Sequence, residues 1–254
     1  MAISIIKIPF DACIVEKDRR GAAKGADAIE AELKDMPDFE KIKEKTEFLE
    51  VNEKDDFVKL HKDTEAAALS EYTKKNIVIG LGGDHSISYG LMHAFAKKFP
   101  HSGLIYFDAH LDCDVDFIPV THEDILRATV NEHIFDSIFI VGARKYAENE
   151  IEVVKKEKIP FFKEIQESEI FSFINRFENI YISIDIDVID SELAPGTGYP
   201  EADGLNETDF INILKKILAM KKVRGADIVE VSPPKDTKNI TAKLAARFLL
   251  EFLK

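Results

Sequence analysis

The sequence is poor in several features that would mark out whole classes of protein. Only two cysteines, Cys13 and Cys113, occur in 254 residues, which is too few for a disulfide framework and makes a reducing cytoplasm the expected compartment. No apolar stretch approaches the ~20 residues that a membrane span needs. The opening MAISIIKIPF lacks the basic region of a signal peptide, so we expect it to form a first strand.

Positive charge is also scarce, because 34 Lys and Arg face 47 Asp and Glu and leave a net charge of −13. Nucleic-acid-binding proteins usually carry a basic patch, so this balance argues against such a partner. An acidic surface suits a small cationic substrate, although it is also an ordinary means of staying soluble. Repeats, low-complexity tracts and linkers are missing as well, so we expect residues 1–254 to form one domain.

Six apolar runs, rich in β-branched residues, alternate with helix-like stretches. The runs are nearly continuous, which predicts strands covered on both faces, over 4–10, 76–83, 103–109, 137–143, 179–187 and 225–232. Apolar residues at three- and four-residue steps predict helices over 24–36, 88–99, 207–220 and 240–254. The charged segment 34–75 is expected to be solvated helix and loop. This alternation predicts an α/β fold with a parallel sheet between helices.

Ionisable side chains collect where the predicted strands end, which is where open parallel sheets bind ligands. They are Asp84, His85, Asp108, His110, Asp112, Asp185, Asp187 and Glu230. Because strand side chains repeat every two residues, we expect Asp108, His110 and Asp112 to point the same way, although this pattern loosens where the strand becomes a loop. Converging carboxylates repel one another and lose hydration, and a multiply charged cation would reverse that penalty. The pattern therefore predicts a metal site.

The donor set narrows the choice of metal. Carboxylates with imidazoles, and no thiolate, favour a hard divalent ion such as manganese over structural zinc. Six ligands exceed what one ion requires, and shared carboxylates can bridge two ions about 3.5 Å apart. Residues 112–123 also resemble a calcium loop, but Phe117 stands where that loop needs glycine. Gly82 and Gly83 do not complete a dinucleotide fingerprint and should instead let the backbone turn tightly beside the site.

Three segments together resemble the signatures of the ureohydrolase family, which includes arginase, agmatinase, guanidinobutyrase and formimidoylglutamase. They are LGGDHSIS (81–88), IYFDAHLD (105–112) and SIDIDVIDSELAPGTGYPEADG (183–204). The later DIVEVSPPKD (227–236) is similar to the agmatinase branch in particular. The resemblance covers almost the whole chain. It implies a three-layer α/β/α sandwich on a mainly parallel eight-stranded sheet, usually assembled as a homo-oligomer, a trimer or a hexamer.

The resemblance also implies a dinuclear manganese centre and its six ligands. One ion would be bound by His85 and Asp112, the other by His110 and Asp187, with Asp108 and Asp185 bridging. The implied reaction is hydrolysis of a guanidino C–N bond, most closely that of agmatine to putrescine and urea. A hydroxide held between the ions would attack the guanidino carbon.

Three residues are implied to act directly on the reactants. Asp112 would hydrogen-bond the hydroxide, and Glu230 would hold the guanidinium through a charge-assisted contact. His122, in VTHEDILRA, would pass protons to the leaving amine, for which the pKa of imidazole is suited. His122 could instead only start a helix, because Thr121 and Asp124 also form a capping pattern.

Departures from the family pattern fall in loops near the predicted site rather than on ligands. They are Glu123, Ser191, Tyr199, Ala202 and Asp203. Arginase, guanidinobutyrase or formimidoylglutamase activity therefore stays open beside agmatinase. A metal-dependent deacylase with a single zinc ion, or a non-catalytic metal-binding protein, is a more distant alternative. The histidines outside the motifs are expected to be structural or on the surface; they are His61, His93, His101 and His133.

Overall fold

The protein is described by a computed structural model over residues 2–14, 16–53 and 56–254. Within these ranges eight strands form one sheet, and every pairing is parallel. The strands are β1 (Ile3–Lys7), β2 (Thr46–Glu50), β3 (Ile77–Leu81), β4 (Gly103–Phe107), β5 (Ser137–Val141), β6 (Phe161–Phe162), β7 (Ile180–Asp185) and β8 (Val223–Val229). Their order across the sheet is β2-β1-β3-β8-β7-β4-β5-β6.

Helices cover both faces of the sheet. They are α1 (Gly25–Lys34), α2 (Phe57–Thr73), α3 (Ser88–Lys98), α4 (Ile125–Asn131), α5 (Glu148–Lys156), α6 (Glu167–Asn175), α7 (Glu207–Ala219) and α8 (Ile240–Leu253). Buried side chains of α1, α6, α7 and α8 pack on one face, and those of α2 to α5 pack on the other. The predicted three-layer α/β/α sandwich is thus confirmed. No helix in the described ranges is long and apolar enough to cross a membrane.

The central strands are apolar on both sides because both sides are covered. In β4, Ile105 and Phe107 join the core beneath α7 and α8, while Leu104 and Tyr106 join the core beneath α2 to α5. All four side chains are fully buried. This packing is the physical reason that the sequence shows continuous apolar runs rather than an alternating pattern.

The segment 34–75 is more structured than the expectation of solvated helix and loop. It contains the edge strand β2 and the long helix α2, which begins after Asp56, whose side chain accepts a hydrogen bond from the N–H of Lys59 at 2.9 Å. The helix buries Leu60, Ala68 and Tyr72 against the sheet. The apolar stripe of this helix was not recognised in the sequence, because charged residues occupy the outer face of the helix. Strand β6 was also not predicted, because a strand of two residues is too short to show a hydrophobic pattern.

The strand order determines where the candidate site can form. Strands β3 and β4 follow one another in the chain, yet β8 and β7 lie between them in the sheet. The carboxyl ends of these four adjacent strands therefore lie side by side at one edge. Every ionisable group predicted at a strand end comes from this edge or from the first turns beyond it.

Candidate metal centre

His85 is placed by a tight turn that follows β3. Gly82 and Gly83 adopt φ angles of +75° and +94°, and a Cβ on Gly82 would lie 2.3 Å from the backbone nitrogen of Ala26. Only glycine fits such a close approach, so the prediction of a tight turn is confirmed. The buried carboxylate of Asp84 then accepts the N–H of Ser86 at 3.2 Å, which starts the short helical turn that carries His85.

The six predicted ligands meet at the carboxyl ends of β3, β4 and β7 in two overlapping groups. In the first, His85 Nδ1 lies 3.1 Å from Asp108 Oδ2, 3.1 Å from Asp112 Oδ2 and 3.5 Å from Asp185 Oδ2. In the second, His110 Nδ1 lies 2.9 Å from Asp187 Oδ2 and 3.5 Å from Asp108 Oδ1. Asp108 belongs to both groups. We call these six residues the floor of the site.

Backbone N–H groups hold three of the four floor carboxylates in position. Asp108 Oδ1 accepts from His110 N at 2.7 Å, Asp185 Oδ1 from Asp187 N at 2.8 Å, and Asp187 Oδ1 from Ala109 N at 3.0 Å. The second oxygen of each carboxylate lies near a histidine nitrogen of the floor. One oxygen thus anchors each side chain, and the other is directed into the centre.

The electrostatics of the floor fit a bound cation. Burial, reinforced by Asp112 and Asp187, raises the pKa of Asp108 to about 6. Burial, with neighbouring carboxylates, also raises the pKa of Asp185 well above its ordinary value. For His85, burial opposes protonation, but the surrounding carboxylates outweigh it and raise the ring's pKa.

The surroundings of one floor oxygen also indicate a bound cation. Asp108 Oδ2 is buried and makes no hydrogen bond within the described part of the chain. A carboxylate oxygen buried in this way is costly unless a cation or a donor reaches it. Four carboxylates and two imidazoles are also an ordinary donor set for a hard divalent ion. The residues present therefore fit a metal centre.

Glu230 lies at the end of β8, in the wall of the cavity above the floor. It adopts φ of +64°, an unusual conformation for this residue type, and is only 5% exposed. Its Oε1 accepts the N–H of His85 at 2.8 Å, while Oε2 is buried with no hydrogen-bond partner among the described residues. Burial and then the charge of Asp84 raise its pKa well above normal. A cationic ligand in the cavity would relieve this penalty.

His122 lines the same cavity and is 9% exposed. Both of its ring nitrogens are buried without a hydrogen-bond partner in residues 2–14, 16–53 and 56–254. Burial lowers its pKa to about 4, so the ring is neutral at ordinary pH. Asp124, the residue before α4, accepts the N–H and the hydroxyl of Thr121 at 2.7 and 2.8 Å and closes the turn that carries His122. The alternative that His122 only starts this helix therefore stays open.

Four further residues surround the mouth of the cavity, and we call them the rim: Asp114, Glu123, Glu150 and Tyr199. Glu123 and Tyr199 are among the departures from the family pattern, whereas Glu150 was not predicted from the sequence. This residue lies in α5 and accepts the N–H of Cys113 at 3.2 Å. The two positions are 37 residues apart, so no local sequence pattern predicts the contact.

Two residues behind the floor could have been found from the sequence. Tyr106 stacks on His85 with ring centroids 4.9 Å apart and donates to Asp112 Oδ2 at 2.6 Å. Ser183 lies 2.9 Å from His85 Nε2. Each residue precedes a floor aspartate by two positions, so the two-residue strand period already placed it on the same face.

Comparisons with known proteins point in one direction. A family model described as the Arginase family matches residues 1–254. An agmatinase from Bacillus subtilis (strain 168) is 30% identical over 185 residues, which cover 71% of this chain and 64% of that protein. A mitochondrial guanidino acid hydrolase from Homo sapiens is 34% identical over 197 residues, covering 70% of this chain and 54% of that protein. The matched region is thus less than two thirds of the length of both relatives.

The fold has equally clear counterparts among solved structures. The crystal structure of an agmatine ureohydrolase from Thermoplasma volcanium superposes with a TM-score of 0.85 at 27% identity. The superposition covers 99% of this chain and 88% of that chain.

Proposed function

The chain belongs to the arginase family, and we propose that it hydrolyses agmatine to urea and putrescine. The observation that carries this proposal is the charge of the cavity. Carboxylates lie both at its inner wall and at its rim, and no lysine or arginine lines it in the part of the chain that the structure describes. Agmatine carries a guanidinium at one end and an ammonium at the other, so it complements a cavity that is acidic at both ends.

We propose that two manganese ions complete the floor. His85 and Asp112 would hold one and His110 and Asp187 the other, with Asp108 and Asp185 shared between them; the membership of Asp108 in both groups supports its part of this assignment. When bound, such ions lower the pKa of water and stabilise negative charge that develops in the reaction. Metal analysis of the purified protein tests both the identity and the number of the ions.

The protein's own side chains would orient the substrate and move protons. Glu230 Oε2, buried without a partner among the described residues, is suited to bind a guanidinium N–H and fix its carbon above the floor. Asp112 would accept a hydrogen bond from the attacking group. His122 lines the cavity with both ring nitrogens free of hydrogen-bond partners among the described residues, and it would accept a proton and return it to the leaving amine.

The rim would select the far end of the substrate. Burial and neighbouring carboxylates raise the pKa of Glu123, and burial raises that of Glu150. The ionised form of both side chains is therefore disfavoured. The guanidinium of Arg19 lies outside, 4.1 Å from the ring centroid of Tyr199, and pairs with Glu16. An ammonium would gain from this surface. The carboxylate of arginine or guanidinobutyrate would be repelled.

Similarity to the human guanidino acid hydrolase makes guanidino acids the second candidate. The two candidates are separated by measuring urea release from agmatine, arginine and 4-guanidinobutyrate with the Mn²⁺-loaded protein. We expect kcat/KM to be highest for agmatine. A higher value for 4-guanidinobutyrate would overturn the substrate assignment, and no turnover of the three compounds would overturn the proposed activity.

We further propose a single cytoplasmic domain that assembles as a homo-oligomer, a trimer or a hexamer. Val115 and Ile118, in the loop between β4 and α4, are 57% and 98% exposed, which suits a contact between copies. Cys13 and Cys113 are both free thiols, as a reducing compartment would leave them. Sedimentation of the purified protein tests the assembly.

A further inference from the structure

A buried chain of hydrogen bonds leads away from the floor behind His85. His85 Nε2 lies 2.9 Å from Ser183 Oγ, and Ser183 Oγ donates to Asp227 Oδ1 at 2.7 Å. Tyr181 donates its hydroxyl to the second oxygen of Asp227, also at 2.7 Å. Ser183, Asp227 and Tyr181 are completely buried, and His85 is 1% exposed. Buried polar groups need hydrogen-bond partners, and these side chains provide them for one another.

The sheet itself brings the chain together. Ser183 on β7 is directly opposite Asp227 on β8 in the strand register. Tyr181 precedes Ser183 by two positions and therefore points to the same face of the sheet. On that face, His85 reaches Ser183 from the turn after β3. The alignment of three strands thus determines these contacts, rather than a mobile loop.

Counting protons assigns the direction of each hydrogen bond. A carboxylate can only accept, so the single hydroxyl proton of Ser183 goes to Asp227. The oxygen of Ser183 can then only accept from His85, which places the hydrogen of a neutral imidazole on Nε2. The lone pair of that ring is left on Nδ1.

The opposite side of the ring agrees with this assignment. His85 Nδ1 faces Asp108 Oδ2 and Asp112 Oδ2, each 3.1 Å away. The neighbouring hydroxyl of Tyr106, 3.1 Å from Nδ1, already donates its proton to Asp112. Nδ1 is therefore directed at the space that the floor carboxylates share.

We propose that Ser183 and Asp227 are positioning residues that hold His85 as the Nε2–H tautomer and direct its Nδ1 lone pair to a metal ion. This inference rests on the proposed metal centre. Partners that orient a histidine ligand in this way typically contribute about 10- to 100-fold in metal affinity. A purely structural role predicts something different: lower stability with unchanged affinity of the folded protein for metal.

The decisive comparison uses Ser183→Ala against Tyr181→Phe. Ser183→Ala removes the acceptor for His85 Nε2–H. Tyr181→Phe removes the hydrogen bond from Tyr181 to Asp227 and leaves the link from Asp227 through Ser183 to His85 intact. Titration calorimetry of the metal-free proteins with Mn²⁺ should show a loss of about 10- to 100-fold in affinity for Ser183→Ala. We expect Tyr181→Phe to bind Mn²⁺ as the wild type does.

Two further measurements separate ligand positioning from a general defect. With diamagnetic Cd²⁺ bound, ¹⁵N NMR of the His85 ring should show a protonated Nε2 and a coordinated Nδ1 in the wild type, and a loss of this single state in Ser183→Ala. At saturating Mn²⁺, kcat of Ser183→Ala should return towards the wild-type value. Asp227→Asn tests the second residue, and unchanged Mn²⁺ affinity there would remove Asp227 from the assignment.

The outcomes distinguish this inference from the proposed function. Wild-type protein that binds Mn²⁺ but releases no urea would overturn the activity while the affinity comparison still decides the role of Ser183. Wild-type turnover combined with unchanged Mn²⁺ affinity in Ser183→Ala would overturn the positioning role alone. Equal losses of affinity in Ser183→Ala and Tyr181→Phe would also overturn it. Wild-type protein that binds no divalent ion would remove the metal centre and this inference together.

Discussion

The floor and the rim of the cavity are both rich in carboxylates, yet they hold them in different ways. Three of the four floor carboxylates, Asp108, Asp185 and Asp187, are anchored by backbone N–H groups at strand ends. Rim carboxylates sit on a loop and on α5, and Glu123 is exposed to solvent. Fixed and buried charges cannot move apart or be screened, so they require a cation. Exposed charges are screened by water and salt, so they can only bias which ligand enters.

Removal of a bridging carboxylate should abolish metal binding at the floor. In Asp108→Asn or Asp185→Asn we expect metal and urea release to be lost together, because each residue is proposed to contact both ions. Metal content by elemental analysis and the rise in Tm on adding Mn²⁺ check this result. Asp209→Asn, an exposed change on α7, is the control. A full complement of metal in either floor variant would contradict the bridging assignment.

A change at Glu230 should weaken substrate binding without affecting metal binding. Glu230→Gln keeps the size of the side chain but removes its charge, so it should leave metal content unchanged. Losing one partner of a buried charge pair costs about 2–5 kcal/mol, so kcat/KM for agmatine should fall by about 30-fold or more. Steady-state kinetics and metal analysis on the same sample measure both effects. Metal loss in Glu230→Gln would place Glu230 in the floor instead.

His122 offers a test with a matched control inside the same chain. His122→Asn should reduce kcat by about 10²-fold, the lower range for a general acid–base group, without loss of metal. His61 on α2 is also buried, and burial lowers its pKa to about 4 as well, but it does not line the cavity. His61→Asn should therefore reduce Tm and leave kcat unchanged. An unchanged kcat in His122→Asn would restore the reading of His122 as a structural residue.

The rim should give the smallest effect. Glu123→Gln should raise KM for agmatine by about two- to fivefold, because exposed ion pairs are worth roughly 0.2–1 kcal/mol. The difference from wild type should shrink as salt rises from 0.05 to about 0.5 M, since screening weakens exposed interactions. Glu148→Gln, which alters a carboxylate on α5 away from the cavity, is the matched control. An effect of Glu123→Gln that salt does not change would argue against a charge contact.

The sequence predicted the floor better than the rim for a physical reason. Strand ends of a parallel sheet converge, so the two-residue period and the apolar runs were enough to bring His85, Asp108 and Asp185 together. Asp112 converges with Asp108 as expected, because Asp112 Oδ2 and Asp108 Oδ2 each lie 3.1 Å from His85 Nδ1. Strand β4 ends at Phe107 and Asp112 adopts φ of +47°, so the backbone of the loop, rather than the two-residue period of the strand, places Asp112 there. The roles of these residues stay predictions until they are measured.

The rim could not be predicted because its residues come together only through distant contacts. Glu150 reaches the cavity because α5 packs against the loop after β4, and its oxygens accept the N–H groups of Cys113 and Ala147. The helix carrying it shows an ordinary amphipathic pattern. Similarly, α2 and β2 were hidden in a charged segment, where tertiary burial rather than local composition determined the structure.

The strand order β3-β8-β7-β4 also constrains when the site can exist during folding. His85 and Asp108 are synthesised in the first half of the chain, but the two strands that must separate β3 from β4 are the last two of the sheet. A nascent chain emerging from the ribosome would lack the space in which an ion could sit until residues beyond 229 had been made. Such long-range pairing is slow, so metal uptake would coincide with the final docking of the carboxyl-terminal third rather than guide the early collapse.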